Sequence, residues 1–173
     1  REAGIDAVII DHHEPPDVLP DAYAILNPKQ AGCAYPFKEL ASAGLAFKVV
    51  QALGAVELFD YLDLVALGTV ADVAPLQGEN RIFVRHGLDV LNRTGREGIK
   101  ALIGAAGIKE RRISTHVISF MLAPRLNASG RIDSAHGSLD LLLCDDIKEA
   151  NRLAGFLNEH NRARQKIEEQ VLS

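Results

Sequence analysis

The sequence predicts an α/β fold, in which part of a parallel sheet is followed by a helix-rich C-terminal portion. The apolar β-branched run at 8–10 is typical of a strand buried on both faces of a parallel sheet. A second short apolar run at 23–26 stops at Asn27-Pro28, which predicts a second strand. Beyond Pro36, apolar residues recur at helical spacing through almost the whole chain.

The predicted helices follow one another along the chain and are separated by glycine and proline residues. They span about 40–53, 57–73, 81–92, 97–106, 114–122, 135–143 and 147–173. The breaks fall at Gly54, Pro75, Gly95, Gly107 and Pro124. Two strands alone cannot form a stable parallel sheet, so we expect further strands upstream of Arg1 and a chain that is a piece of a longer protein.

The last predicted helix is amphipathic in its first part and almost entirely polar further along. Asp146 and Glu149 form a capping box, and an apolar stripe follows. The stretch 160–166 then has a single apolar side chain, and a helix that is polar all round is typical of a connection between domains through solvent. We therefore predict one domain portion over 1–145 and a connector helix over 146–173.

Composition excludes several classes of protein. The chain has 173 residues, of which 24% are charged and 47% hydrophobic, as in a globular domain. No uncharged run is long enough to span a membrane. Cys33 and Cys144 are too few for a disulfide framework and too far apart for a zinc-ligand pair, which predicts a reducing cytoplasm.

Charge is distributed unevenly along the chain. The net charge of −4 divides into −8 over 1–80, +7 over 81–131 and −3 over 132–173. A metal-dependent enzyme that acts on a polyanion needs carboxylates for cations and Lys or Arg for phosphates. Ordinary solvated helix faces would give the same counts, so both interpretations stay open.

Asp11, His12 and His13 follow the first predicted strand directly. Open α/β sheets place ligand-binding residues at the carboxyl ends of their strands. An imidazole binds Mn, Zn or Fe, and a neighbouring carboxylate can orient it. Successive side chains of an extended segment point in opposite directions, so the two histidines are expected to have different roles. A loop with exposed histidines is the alternative.

Asp72 is a second unusual residue. Leu58, Leu62, Val65 and Thr69 recur at spacings of a helix face, and Asp72 is the next position in that series. A carboxylate on a buried face must be neutralised by a cation, an arginine or a metal. A salt bridge or a helix cap would explain it equally well.

A polar segment between two predicted helices forms the third candidate. Arg125 and Arg131 are six positions apart, with Asn127, Ser129 and the flexible Gly130 between them. Arginines can bind an anion through two hydrogen bonds, and exposed backbone amides add more. The alternative is an ordinary polar connection with solvated arginines.

Three stretches together carry a family resemblance: IIDHHEPPDVLPDAYAILNPK, YLDLVALGTVADVAPL with the Asn80-Arg81 that follows it, and PRLNASGRID. In this order they resemble the RecJ-type single-strand-specific exonucleases of the DHH phosphoesterase superfamily. Members of that family are two-metal phosphodiesterases with a parallel-sheet DHH domain joined by a long helix to a second domain. The resemblance therefore implies that 1–145 is the C-terminal portion of the DHH catalytic domain.

The resemblance also implies roles for the candidate residues. His12 and Asp72 would bind metal, His13 would face the scissile phosphate, and Asp11 would orient the histidines. The residues that match the stretch gripping the nucleic-acid backbone are Arg125, Asn127 and Arg131, with Ser129 and Gly130 between them. The family's early Asp-x-Asp motif and a further aspartate ligand would lie upstream of Arg1, so the isolated piece is expected to be inactive.

The function implied is hydrolysis of single-stranded DNA from its 5′ end to mononucleotides, in DNA repair or recombination. The implied cofactor is Mn²⁺ or Mg²⁺, and the implied partners are single-stranded DNA and other repair proteins, without a membrane. One alternative is a DHH phosphoesterase acting on short oligoribonucleotides or cyclic dinucleotides, although the +7 middle segment favours a polymer. The other is a non-catalytic DNA-binding or scaffold relative, against which the intact His12, His13 and Asp72 argue.

Overall fold

A computed structural model of the chain describes residues 4–109, 111–132 and 135–172, without the side chains of 129–132 and 172. It confirms an α/β fold that combines a small parallel sheet with many helices. The chain divides into two compact units, which separate between Leu91 and Asn92. The predicted domain boundary after 145 stays a prediction.

The sheet of the first unit contains the two predicted strands. β1 (Val8–Ile10) and β2 (Ala24–Leu26) pair in parallel, with Val8 opposite Ala24 and Ile10 opposite Leu26. The expectation of a strand buried on both faces is wrong for the described residues, since Val8 is 55% exposed. In the described chain the helix Ser42–Ala52 packs against this sheet, and part of the apolar surface of the sheet is left uncovered.

Three helices and a 3₁₀ turn complete the first unit: α1 (Ser42–Ala52), the turn Leu58–Tyr61, α2 (Leu62–Ala71) and α3 (Gly78–Leu91). Their core is a cluster of buried side chains that comprises Leu40, Leu45, Leu62, Val65 and Phe83. The predicted helix over 57–73 begins instead as a 3₁₀ turn after Glu57, which has a left-handed conformation, and it is α-helical only from Leu62 to Ala71.

The second unit is helical: α4 (Glu97–Ala105), α5 (Thr115–Val117), a π-helical turn Ile118–Leu122, α6 (Ala123–Ile132), α7 (His136–Leu143) and α8 (Ile147–Leu172). The predicted long last helix is confirmed as α8, which packs against α4, α6 and α7. The side chain of Asp146 caps it by accepting from the backbone N–H groups of Lys148 and Glu149.

The stretch at 160–166 of α8 is not solvated on every side. Asn161 is buried, and its side-chain oxygen accepts a hydrogen bond from Arg164. The neighbouring His160 has a buried ring nitrogen. One face of this stretch therefore packs within the second unit, although its sequence is almost entirely polar.

The predicted break at Pro124 is wrong, and the polar segment that follows it is helical. The backbone continues from α5 through the π-helical turn into α6, so Pro124 lies in the first turn of α6. Proline lacks an N–H and its ring clashes with the carbonyl four residues earlier in a regular helix. A π-helical turn shifts the hydrogen bonds to longer spacing just before Pro124, which gives the ring room.

No helix in the described parts of the chain combines the length and the apolar character that a membrane span requires.

Candidate metal centre

The loop of Asp11, His12 and His13 lies at the carboxyl end of the sheet, as the sequence predicts. The backbone N–H of Asp11 donates to the carbonyl of Leu26 (3.1 Å), which extends the pairing of the strands by one residue. Asn27 is buried at the end of β2, and its Nδ2 donates to the carbonyl of His13 (2.8 Å). These bonds from the second strand fix both ends of the loop.

Asp11 acts on the two histidines in different ways. Its Oδ1 accepts from the backbone N–H of His12 (2.8 Å) and lies 2.7 Å from Nδ1 of His13. The hydrogen bond with His13 is the main reason that the pKa of Asp11 is lowered, so the carboxylate stays ionised at neutral pH. Asp11 therefore orients the ring of His13 and the backbone of His12.

The two histidine rings lie side by side, with centroids 4.3 Å apart. The expectation that their side chains point in opposite directions is wrong. It assumed an extended segment, but β1 ends at Ile10 and the chain bends through the histidines. Both imidazoles can therefore reach the same small volume.

His12 is held at both ring nitrogens. Its Nδ1 is 2.7 Å from Oγ of Ser42, the first residue of α1, and its Nε2 is 2.9 Å from Oδ2 of Asp72. The side chain of His12 is only 17% exposed, so its orientation is fixed by packing and by both polar partners. The sequence gives no signal for Ser42, because this contact joins residues 30 positions apart.

Asp72 lies beside His12, but it is not on the buried face of a helix as predicted. It is the residue after α2, and its side chain is 35% exposed, so the expected buried position is wrong. Val73 adopts a left-handed conformation and turns the chain out of the helix, and the carboxylate of Asp72 contacts Nε2 of His12. The buried carboxylate of α2 is Asp63 in its first turn, where the helix dipole favours a negative charge.

His12 and Asp72 line a cavity of about 170 Å³ together with Lys29 and Glu39, and Val73 to Pro75 close one side. Neither Lys29 nor Glu39 is among the residues predicted from the sequence. Both lie on the long loop between β2 and α1, where nothing in the local pattern marks a functional residue.

The donor atoms of this region fit a divalent cation. Asp11, His12 and His13 each offer one ligand atom, and these atoms lie within 4.8 Å of one another. Asp72 adds a carboxylate oxygen next to Nε2 of His12. Imidazole and carboxylate ligands together suit Mn²⁺. Metal-binding histidines usually have a polar partner at the ring nitrogen that does not bind the metal, and Ser42 is that partner for Nδ1 of His12.

The predicted anion-binding segment belongs to the second unit and lies on α6. Arg125 is partly buried: its Nε donates to Oδ1 of Asn158 (3.0 Å), and its Nη1 donates to the carbonyl of Met121 (2.6 Å). Burial is the main cause that lowers its pKa, and the nearby positive charge of Arg162 adds to this. Asn127 is exposed on the same helix.

The other predicted residues of this segment are only partly described. Ser129, Gly130 and Arg131 lie in α6, but their side chains are outside the described residues. The prediction of an anion-binding turn is wrong in its local structure, because the segment is helical. Whether these residues bind an anion stays a prediction.

Comparisons with known proteins show which family the chain resembles. Residues 1–69 match the DHH family, N-terminal domain. The chain is 47% identical to the single-stranded-DNA-specific exonuclease RecJ of Bacillus subtilis, over 96% of this chain and 21% of that protein. It is 42% identical to the protein of the same name in Escherichia coli, over 98% of this chain and 32% of that protein. Over nearly its whole length the chain is therefore similar to the RecJ-type branch of the DHH family.

Solved RecJ structures have the same fold as this chain. A Thermus thermophilus RecJ in complex with Mn²⁺ superposes with a TM-score of 0.84 and 34% identity, over 99% of this chain and 26% of that one. An exonuclease RecJ bound to manganese superposes with a TM-score of 0.85 and 36% identity, over 99% of this chain and 44% of that one. The chain therefore spans between about a fifth and a half of the length of these relatives.

Proposed function

We propose that the full-length protein is a metal-dependent nuclease that hydrolyses single-stranded DNA from its 5′ end and releases mononucleotides. The observation that carries this proposal is the pairing of His12 Nε2 with Asp72 Oδ2 at 2.9 Å, in a cavity at the carboxyl end of the sheet. Relatives named single-stranded-DNA-specific exonucleases, at 47% and 42% identity, support the choice of substrate.

His12 and Asp72 would hold a divalent cation, Mn²⁺ or Mg²⁺, with further ligands from outside this segment. RecJ structures in complex with Mn²⁺ and with Mg²⁺ support both metals. When bound, such cations polarise the phosphate and lower the pKa of a water molecule, which makes it a nucleophile at neutral pH.

The chain's own residues prepare the site for this chemistry. Ser42 and Asp72 hold the ring of His12 from opposite sides, so Nε2 faces the cavity. Asp11 stabilises a proton on Nδ1 of His13, which leaves Nε2 of that exposed ring to contact the phosphate. Asp11 is therefore a positioning residue, and His13 is the group that touches the substrate.

The strand would be gripped by α6 through Arg125, Asn127 and Arg131, with Ser129 and Gly130 between them. The positive charge of Arg162 near Arg125 would favour a phosphate there. Contacts with phosphates position a strand without reading its sequence, as an exonuclease requires.

The experiment compares four substrates with the full-length protein in Mn²⁺: 5′-labelled single-stranded DNA, the same DNA as a duplex, a short oligoribonucleotide and a cyclic dinucleotide. We expect labelled mononucleotides from the single strand and little product from the duplex. Faster hydrolysis of the oligoribonucleotide or the cyclic dinucleotide would replace the proposed substrate by the small-substrate alternative. DNA binding without hydrolysis of any substrate would indicate a scaffold.

A further inference from the structure

Lys29 is a basic residue that lines the same cavity as His12 and Asp72. Its side chain is 21% exposed, and its ammonium group lies 2.9 Å from Oε1 of Glu14. Glu14 itself is 81% exposed, so water competes with this ion pair. The ammonium of this cavity-lining residue is thus paired with an exposed carboxylate that a ligand can displace.

The backbone of Lys29 is fixed relative to the loop of the histidines. Oδ1 of Asn27 accepts from the backbone N–H of Lys29 (2.9 Å), while Nδ2 of the same residue donates to the carbonyl of His13 (2.8 Å). Asn27 is 6% exposed, which keeps both bonds away from water. One buried amide therefore sets the distance between the lysine and the histidine loop.

The charges around Lys29 keep it protonated. Its hydrogen bond with Glu14 is the main cause that raises its pKa, and burial opposes this. The negative charges of Glu14, Glu39 and Asp72 raise it further. An ammonium group among carboxylates, at the edge of a cavity with a histidine, is a point charge suited to a phosphate oxygen.

We propose that Lys29 contacts the phosphodiester of the bound strand next to His12 and Asp72, and that Glu14 is the partner that the phosphate displaces. The proposal rests on the proposed function, since it names a residue that binds the substrate of that site. A contact of this kind adds affinity for any sequence and makes binding more dependent on salt.

The test measures binding of a fluorescent single-stranded oligonucleotide to the full-length protein in EDTA, at several salt concentrations. Lys29→Met keeps the apolar stem and removes the charge. We expect this variant to weaken binding about tenfold. It should also make the slope of log K against log salt shallower by about 0.7, which is the contribution of one phosphate contact on a single strand. Lys29→Arg should keep the slope of the wild type.

The Glu14→Gln variant tests whether the ion pair of Lys29 and Glu14 is displaced by the strand or has only a structural role. It should strengthen binding several-fold, because the ammonium no longer needs to leave a carboxylate, and this gain should disappear in the double variant with Lys29→Met. Lys38→Met is the matched control. Lys38 lies on the same loop and donates to the carbonyl of Cys33, so its loss should leave the slope unchanged.

Two results would overturn the proposal: an unchanged affinity and slope in Lys29→Met, or equal losses in Lys29→Met and Glu14→Gln. Absence of binding by the wild type would overturn it as well. Binding that depends on Lys29 in a protein that hydrolyses no nucleic acid would refute the proposed nuclease instead. The two proposals therefore fail in different experiments.

Discussion

At the scale of single residues, His12 is the best-supported member of the site, because both of its ring nitrogens have polar partners. We predict that His12→Ala and Asp72→Ala in the full-length protein each lower kcat in Mn²⁺ by at least about 100-fold, more than the loss of an outer-shell partner. Circular dichroism should show an intact fold. Rates close to wild type for either variant would disprove the assignment of metal ligands.

Ser42 provides a test of positioning. We predict that Ser42→Ala weakens Mn²⁺ binding by about 10–100-fold, since the ring of His12 loses the partner that orients it. Isothermal titration calorimetry of the full-length protein with Mn²⁺ measures this. Ser42→Thr keeps a hydroxyl and should restore most of the affinity, whereas a merely structural role of Ser42 would leave the affinity of both variants unchanged.

The candidate residues show where sequence reasoning succeeds and where it stops. Asp11, His12 and His13 are predictable because they follow a recognisable strand, and Asp72 because it extends a helix series. Ser42, Lys29 and Glu39 reach the same place through contacts between distant segments, which no local pattern records. The predicted burial of Asp72 failed because the helix ends one residue earlier than the apolar series suggests.

At the scale of elements, a hydrogen-bonded trio joins the loop before α1 to α1 and α3. The hydroxyl of Tyr35 donates to Oε2 of Glu79 (2.6 Å), and the ammonium of Lys48 pairs with Oε1. Burial alone would raise the pKa of Glu79, but the bonds from Lys48 and Tyr35 outweigh it and lower this pKa. The trio therefore stabilises the ionised form of Glu79.

This lowered pKa gives stability a definite pH dependence. The contribution of Glu79 is complete above its unfolded pKa of about 4.5 and is lost as the pH falls through the lower folded value. We predict that Glu79→Gln destabilises the full-length protein by about 1.5–3 kcal/mol at neutral pH, the range for hydrogen bonds to charged groups. The difference should shrink below about pH 4.5.

Urea unfolding at several pH values measures this difference. Glu149→Gln is the control, because Glu149 pairs with Arg152 on the exposed surface of α8, where ion pairs contribute little. A difference between wild type and Glu79→Gln that is the same at pH 7 and pH 3 would contradict the account of the trio.

Substitution to alanine is expected to have opposite effects on stability at two glycines of α4. A Cβ at Gly98 would lie 1.8 Å from the carbonyl oxygen of Leu141, whereas a Cβ at Gly104 would meet nothing within 4 Å. We predict that Gly98→Ala destabilises by about 1–3 kcal/mol, as overpacking does. Gly104→Ala should stabilise by about 0.5–1 kcal/mol through helix propensity. Denaturant midpoints of the two variants that move in the same direction would contradict the packing of α4.

The helices illustrate the same limit of sequence reasoning. Most of their positions follow from apolar periodicity, which the packed faces of α2, α3 and α8 preserve. Pro124 misled the prediction because a proline normally ends a helix, and the π-helical turn that accommodates it has no recognisable sequence pattern. Packing between elements therefore decided what the local sequence left ambiguous.

At the scale of the whole molecule, this chain covers about a fifth to a third of the curated relatives. We predict that the 173-residue chain binds Mn²⁺ much more weakly than the full-length protein and shows little nuclease activity, because affinity needs a complete and preorganised ligand set. Calorimetric titration of both proteins checks this. Equally tight, stoichiometric binding by the two would mean that the ligands outside this chain are dispensable.

The central claim is that His12 and Asp72 belong to a metal centre that hydrolyses single-stranded DNA. The most direct measurement follows release of label from a 5′-labelled single strand by the full-length protein in Mn²⁺, beside the His12→Ala variant and a sample with EDTA. The account predicts labelled mononucleotides from the wild type alone. Equal release by the wild type and His12→Ala, or release that continues in EDTA, would contradict it.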